Sequence, residues 1–468
     1  MSAVRSSVLG LALSGICGMA MVSAAPPAGA ATKPATAAVT SPTQGPSAAP
    51  KLAFPGALGW AATTPGGRGG RIIRVTTLNP DGPGSFLEAV NTPGPRIIVF
   101  EVGGVIDLGA REIHIKEPFL TIAGQTAPSP GITFIRGGFQ IAAHDVVVQH
   151  VRVRVGDVGK PKKSGWEVDA MSTEGEAHDV IIDHCTLTWA TDENASMSSR
   201  RFVGATPDEW RQHASHRITF SNDIIAHGLS YATHTKIEHS KGSLIHDNVS
   251  DILIVNNLYA HNYERNPLFK GGVRGVIVNN MIFDPGQRAI HYNLMSEEWG
   301  AHPYQVGQMA AVGNVLRAGM STPDQLAFLE IGGYGDLQYY GKDNVAVDRI
   351  GRPLPMLGSY TNGGARILET DKPPLWPEGL TPMPASEVQR YIQANVGARP
   401  WDRDMDDVLL VADVAEGRGT IINSQDDLRG YPAPKPTSRP FNPDDWNLDD
   451  MTPRRPGALD SSSKAHGT

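Results

Sequence analysis

The chain has 468 residues, 40% of them hydrophobic and 19% charged, and a formal net charge of −7. That balance excludes a global attraction for nucleic acid or an anionic membrane, so an anionic partner needs a local cluster of cations or a bound metal. Glycine (51) and proline (36) are abundant, which favours short strands and many turns over long helices.

In chain order, Arg5 precedes the apolar run "VLGLALSGICGMAMV", and "SAAPPAGAA" follows. This is the pattern of a secretory signal peptide over residues 1–25, cleaved near 24–30, and predicts export to the periplasm or medium. The run is short for a bilayer span, and no later segment has the length for one. Cys17 leaves with the signal, so Cys185 remains alone. An internal disulfide and a zinc–thiolate site are thereby excluded. Residues 26–52 are rich in proline, alanine, threonine and serine, and predict a disordered linker. Residues 433–468 have a similar polar, proline-rich look and predict a disordered tail. The folded body is expected over 53–432.

Inside that body a pattern recurs: "HDVVVQH", "HDVIIDH", "HRITFSN", "SDILIVN" and "RGVIVNN". Each is an alternating β-branched run ending in His150, His184, Asn222, Asn256 or Asn279, at intervals of 34, 38, 34 and 23 residues, and a weaker copy ends at Asn314. Short strands at such intervals, without long stretches of helical period, predict an all-β parallel solenoid. The recurrent His or Asn suits a turn, where an amide bonds to backbone and stacks on its copies. A spacing of 23 is a minimal coil, and the longer spacings carry loops that build a site. "SFLEAV" (85–90) predicts a short helix capping one end. "PASEVQRYIQANVG" (384–397) predicts a second, N-capped by Ser386 with Val388, Tyr391, Ile392 and Val396 as its apolar stripe, capping or flanking the other.

Three polar clusters fall in loops of neighbouring coils: Asp169, Asp192 and Glu193; then Glu238, His239 and Lys241; then Arg265 and Lys270 around Pro267. A single loop aspartate is ordinarily a solvated turn residue, and His150 and His184 read as ladder or core residues. Placement on successive coils is what makes the clusters a candidate site. Oxygen donors without thiolates suit Ca²⁺. Cations beside a metal suit a polyanion, and together they favour removal of a proton from the carbon next to a carboxylate.

"VIIDHCTLTW" (180–189), "HSKGSLI" (239–245), "RNPLFK" (265–270) with "GVIVNN" after it, "GGRGGRIIRVTTLNPDGPGSFLEAV" (66–90) and "NVGARPWDRD" (395–404) together resemble the pectate lyases of polysaccharide lyase family 1, in a secreted bacterial branch. The resemblance spans about 58–431. It implies a single-stranded right-handed parallel β-helix and calcium-dependent β-elimination of α-1,4-polygalacturonate to 4,5-unsaturated oligogalacturonates. It implies that Arg265 is the base, that Lys241 and Lys270 bind substrate carboxylate, and that Asp169 and Glu193, with Asp192, hold Ca²⁺. It also implies a monomer without an organic cofactor. Two positions depart from the family pattern: Lys270 stands where the family has a second arginine, and Met197 stands where it has a second acid four residues after Glu193. Two other readings stay open on the residues alone. One is another enzyme on the same fold, a polygalacturonase-type hydrolase using Asp192 and Glu193 as paired carboxylates or a different uronate or pectin lyase; the other is a polysaccharide-binding solenoid without activity.

Overall fold

The computed structural model describes residues 51–236, 238–455 and 457–459. The expected signal peptide and all of the linker except residues 51–52 lie outside the described residues, as does the last part of the tail. The body is a right-handed parallel β-helix, the parallel solenoid that the repeat predicts with the handedness that the resemblance implies. Its strands stack in three sheets. Sheet I runs from Arg71–Val75 through His178–Asp183, His216–Ser221 and Ser250–Val255 to Ile367–Glu369. Sheet II stacks Val151–Arg154, Thr186–Thr188, Ile224–Ala226 and Leu258–Ala260 onward, and sheet III stacks Met171–Thr173, Glu193–Met197, Lys241–Ile245 and Leu268–Lys270 onward. The long strands Val102–Ile115 and Ile132–Ile141 join II and III at one end.

Alternate residues of sheet I point inward and lie directly on their copies. Val146, Val180, Ile218 and Ile252 form one file, and Val148, Ile182, Phe220 and Ile254 another. All eight are fully buried. At about 1.5–3 kcal/mol for each buried side chain, these files are the main cohesive force of the solenoid. A shift of one residue would turn each file outward, so the alternation pins the register.

The turn from sheet I to sheet II divides between two adjacent columns the work that the repeat assigned to one. His150, His184, Asn222, Asn256 and Asn279 all have φ between +51° and +59°, and Gly313 continues them at +65°. Asparagine and glycine tolerate this left-handed region better than most residues. The ladder is the next column. Asn257 accepts from the Asp223 N–H at 2.8 Å, Asn280 from the Asn257 N–H at 2.9 Å, and Asn314 from the Asn280 N–H at 3.0 Å. Asn344 extends the ladder by accepting from the Asn314 N–H at 3.0 Å. Asn314 is therefore the copy of Asn280, one register step from the match its sequence suggested.

Flanking segments cover the outer faces. Ser85 caps the helix Phe86–Val90 by accepting from the Glu88 N–H at 3.2 Å, and Phe86 packs on Phe100, Phe134 and Phe139 in the first coils. The second helix, Ala385–Asn395, begins after Pro384, and the Asp343 carboxylate rather than Ser386 accepts from its first N–H at 2.9 Å. It buries Val388 and Ile392 against Ile224, Leu258 and Met281, so it flanks sheet II rather than closing an end. A third helix, Met405–Glu416, lies beside it, capped by Asp404 and ended by Gly417 in the left-handed region. Its Asp407 and the capping Asp404 meet the buried Arg152 and Arg154 of sheet II, with Arg154 Nη1 2.6 Å from Asp404.

The tail departs from expectation. Thr437–Ser438 pairs antiparallel with Val102–Gly103, and Phe441, Trp446, Met451 and Ala458 are buried against Ile97, Val99 and Ala123 of sheet I. The composition is polar on average, but a few large apolar residues suffice because an exposed apolar sheet face receives them. The folded body thus extends to residue 459.

Asp223 occupies a ladder position with a carboxyl where its neighbours carry an amide. Its Oδ1 accepts from the Cys185 N–H at 2.7 Å, but its fully buried Oδ2 has no partner. Burial pushes its pKa well above the ordinary 3.8. The native state therefore retains a proton that the unfolded chain releases above pH 4, so this group costs stability as pH rises. Asp223→Asn is expected to stabilise the fold by about 1–3 kcal/mol at neutral pH. The gain should shrink below pH 4, as read from urea midpoints across that range.

Candidate active site

The connections from sheet II to sheet III occupy the same corner on successive coils, and each contributes a charged residue there. Strand pairing sets Glu193 beside Lys241, and a parallel bridge sets Lys241 beside Glu264. Asp169 precedes the sheet III strand Met171–Thr173, and its Oδ1 accepts from the Glu193 N–H at 2.8 Å. Strands here lie about 4.8 Å apart, so residues far apart in sequence become neighbours in one cleft.

Carboxylate oxygens of Asp169, Asp192 and Glu193 lie within 4.8 Å of one another. Arg265 Nη1 donates to Glu193 Oε1. Lys241 Nζ donates to Glu264 Oε1 at 2.6 Å, and Arg288 Nη1 donates to the other oxygen of Glu264. Lys241 is 3% exposed, its ammonium 5.2 Å from the Tyr263 ring centre. Three sequence-predicted acids and two of the three predicted cations therefore converge. Lys270 lies farther along its strand and pairs with Glu298, which also takes Arg201 at 3.0 Å. Met197 faces the core between Thr173 and Ile245, fully buried, and no acid at that position would reach the cleft.

Two structural elements hold Arg265 in place. Its φ is +64°, a conformation that costs a non-glycine residue on the order of 1–2 kcal/mol and persists only where its surroundings impose it. A buried amide relay imposes it: Asn194 donates to Asn262 at 3.0 Å, Asn262 to Asn266 at 3.1 Å, and Asn266 to the Arg288 carbonyl at 3.2 Å.

Burial and like charge shape the titration of the cleft. Burial, helped by the Asp192 charge, pushes the Asp169 carboxyl well above its usual range. For Asp192 burial acts in the same direction, but the His239 hydrogen bond and nearby positive charge outweigh it and hold the carboxyl low. Burial lowers Lys241 against the pull of Glu264. It also lowers Arg265, against Asp192 and Asp169. Glu264 is brought down to about 2: burial opposes this, and His291, Lys241 and Arg288 prevail.

Glu264 and Arg288 were not singled out in the sequence. Arg288 follows Arg265 by the same 23 residues that separate Asn256 from Asn279, so the repeat carried a signal for it. Glu264 adjoins Arg265, and only the coil stacking shows that it serves Lys241 as well. The three acids are hard oxygen donors crowded together, and a divalent cation of the Ca²⁺ type relieves that crowding. They fit such an ion.

The class the structure defines is a parallel β-helix with clustered acids and buried cations at one corner. No family model matches the chain. It is 32% identical over 387 residues to the probable pectate lyase C of Emericella nidulans, covering 81% of this chain and 80% of that one. It is also 32% identical over 392 residues to the probable pectate lyase C of Aspergillus terreus, covering 81% of each. Among solved structures, jun a 1, the major allergen from cedar pollen, superposes with a TM-score of 0.51 at 16% identity over 73% of this chain and 92% of that one. The chain belongs to the pectate lyases, which are polysaccharide lyases.

Glu264 is the shared counter-ion of two cations, and Glu264→Gln would leave Lys241 buried without its partner. The expected loss is about 3–5 kcal/mol at neutral pH. The folded pKa lies below the ordinary 4.5, so the contribution is complete above pH 4.5 and lost as pH falls toward 2. The gap between wild type and variant should close over that interval in urea unfolding.

Proposed function

We propose that the protein is a secreted, calcium-dependent pectate lyase that cleaves α-1,4-polygalacturonate by β-elimination. The observation that supports this most is the meeting of Arg265, Lys241 and three carboxylates at one corner of successive coils. Asp169, Glu193 and Asp192 are the residues that would hold Ca²⁺, which when bound supplies positive charge beside the substrate carboxylate. In this reading Lys241 exchanges Glu264 for a galacturonate carboxylate, and Lys270 exchanges Glu298 for a second. Neutralising that carboxylate acidifies the adjacent C5–H, because the negative charge formed on proton removal delocalises onto it.

Arg265, once its guanidinium has given up a proton to water, accepts the C5 proton. The electron pair forms the C4=C5 bond, the C4–O glycosidic bond breaks, and the departing oxygen takes a proton from water. A guanidinium has no free electron pair and is not itself a base, so the step needs the neutral guanidine. Burial and the positive charge of a bound ion both act to release its proton, while Glu193 and the neighbouring aspartates act against that release until an ion engages them. The reading takes the active form as a monomer.

The test is the growth of ultraviolet absorbance on polygalacturonate, since elimination creates a conjugated double bond and hydrolysis does not. Arg265→Ala is expected to lower the rate about 10²–10⁴-fold, and a calcium chelator to abolish it reversibly. Chain shortening without absorbance would establish hydrolysis instead. An unchanged polymer would establish a binding role.

A further inference from the structure

Beside the three acids lies a second group of potential ligands with different chemistry. The loop that follows sheet II's Ile224–Ala226 returns to Lys241, and pairing of Lys241 with Glu193 brings two of its three histidines, His234 and His239, against Asp192. His239 Nε2 is 2.5 Å and His234 Nε2 3.6 Å from the same Asp192 Oδ1. The imidazoles stack with ring centres 3.5 Å apart and planes 23° from parallel. Both are buried, at 3% and 1% exposure, whereas the Asp192 side chain is 31% exposed and gives access from the cleft.

We propose that Asp192, His234 and His239 form a binding site for a divalent transition-metal ion of the manganese-to-zinc series, with Asp192 shared between this site and the oxygen-only group. Two imidazole nitrogens and one carboxylate are a donor set for such ions, whereas Ca²⁺ takes oxygen. One ligand atom from each of the three residues lies within 4.8 Å of the others, and binding one ion turns the stacked rings out of parallel so that both Nε2 lone pairs meet it.

The surroundings fit this assignment. Glu167 Oε1 stands 3.5 Å from His234 Nδ1, where an outer carboxylate holds a ligating imidazole by its other nitrogen. The Thr235 N–H at 2.8 Å and hydroxyl at 2.6 Å fix that carboxylate. The Lys236 N–H donates to His234 Nδ1 at 3.0 Å, which leaves the ring proton on Nε2. Binding transfers that proton to Nδ1, facing Glu167. The buried His239 Nδ1 has no partner; it takes up the ring proton when Nε2 turns to the metal, at the cost of the 2.5 Å hydrogen bond to Asp192. Neither transfer changes the total number of bound protons.

The test is equilibrium binding by the metal-stripped full chain without polysaccharide, so its outcome does not depend on lyase activity. Co²⁺ is titrated and followed by visible absorption, with Ca²⁺ titrated separately by calorimetry. The expected result is one Co²⁺ bound with the spectrum of nitrogen ligation, at least tenfold tighter than Ca²⁺. His234→Gln and His239→Gln should each weaken Co²⁺ by tenfold or more and leave Ca²⁺ affinity within twofold, while Asp192→Asn weakens both. Glu167→Gln should weaken Co²⁺ about 10–100-fold. The proposal is overturned if wild-type protein binds Co²⁺ no tighter than Ca²⁺ or without nitrogen ligation. It is equally overturned if histidine variants with native melting curves bind Co²⁺ like wild type. Should those variants fail to fold, Glu167→Gln decides, because Co²⁺ held by His150, Asp183 and His184 would not respond to it.

Discussion

In-register stacking of parallel coils is the constraint on which everything else depends. Each coil has too little apolar surface to fold alone, and the files from Val146 to Ile252 and from Val148 to Ile254 exist only when the next coil lies in register. The ladder from Asp223 to Asn344 reinforces the same register with hydrogen bonds. A slip would lose the burial and the ladder together, so the two cooperate in excluding alternatives.

That register also builds the cleft. A charged residue at the start of one sheet III strand is carried beside the start of the next, so Glu193, Lys241 and Glu264 become neighbours across gaps of tens of residues. Opposite charges alternate there, which allows buried Lys241 and Arg265 to remain partnered by Glu264 and Glu193. The acids have no such balance among themselves: burial and mutual repulsion set Asp169 against Asp192. A bound cation is the natural relief of that conflict.

Part of this was legible in the residues. The β-branched runs and their spacing announce a solenoid because period-two burial must repeat wherever coils repeat. Arg265, Lys241, Asp169, Asp192 and Glu193 were found because they sit in the long intervals of that repeat or match a family motif. The helix Met405–Glu416 was missed although Asp404 and Gly417 punctuate it, and its acids make sense only against Arg152 and Arg154. The tail was misread because composition averages over residues, whereas Phe441, Trp446 and Met451 act singly on a waiting surface. His234 carries no periodic signal, being inside a long loop.

The sequence by itself determined the parallel β-helix, the family and most of the charged residues that meet in the cleft, since alternation, coil spacing and motif are local properties. Only the tertiary structure decided which charges face each other. It placed Glu264 between Lys241 and Arg288, turned Met197 into the core, set Lys270 against Glu298, and brought two histidines to Asp192. These are outcomes of stacking, and the physical reason is distance: ion pairing and metal coordination act over a few ångströms, and a coil of variable length hides those ångströms in sequence numbers.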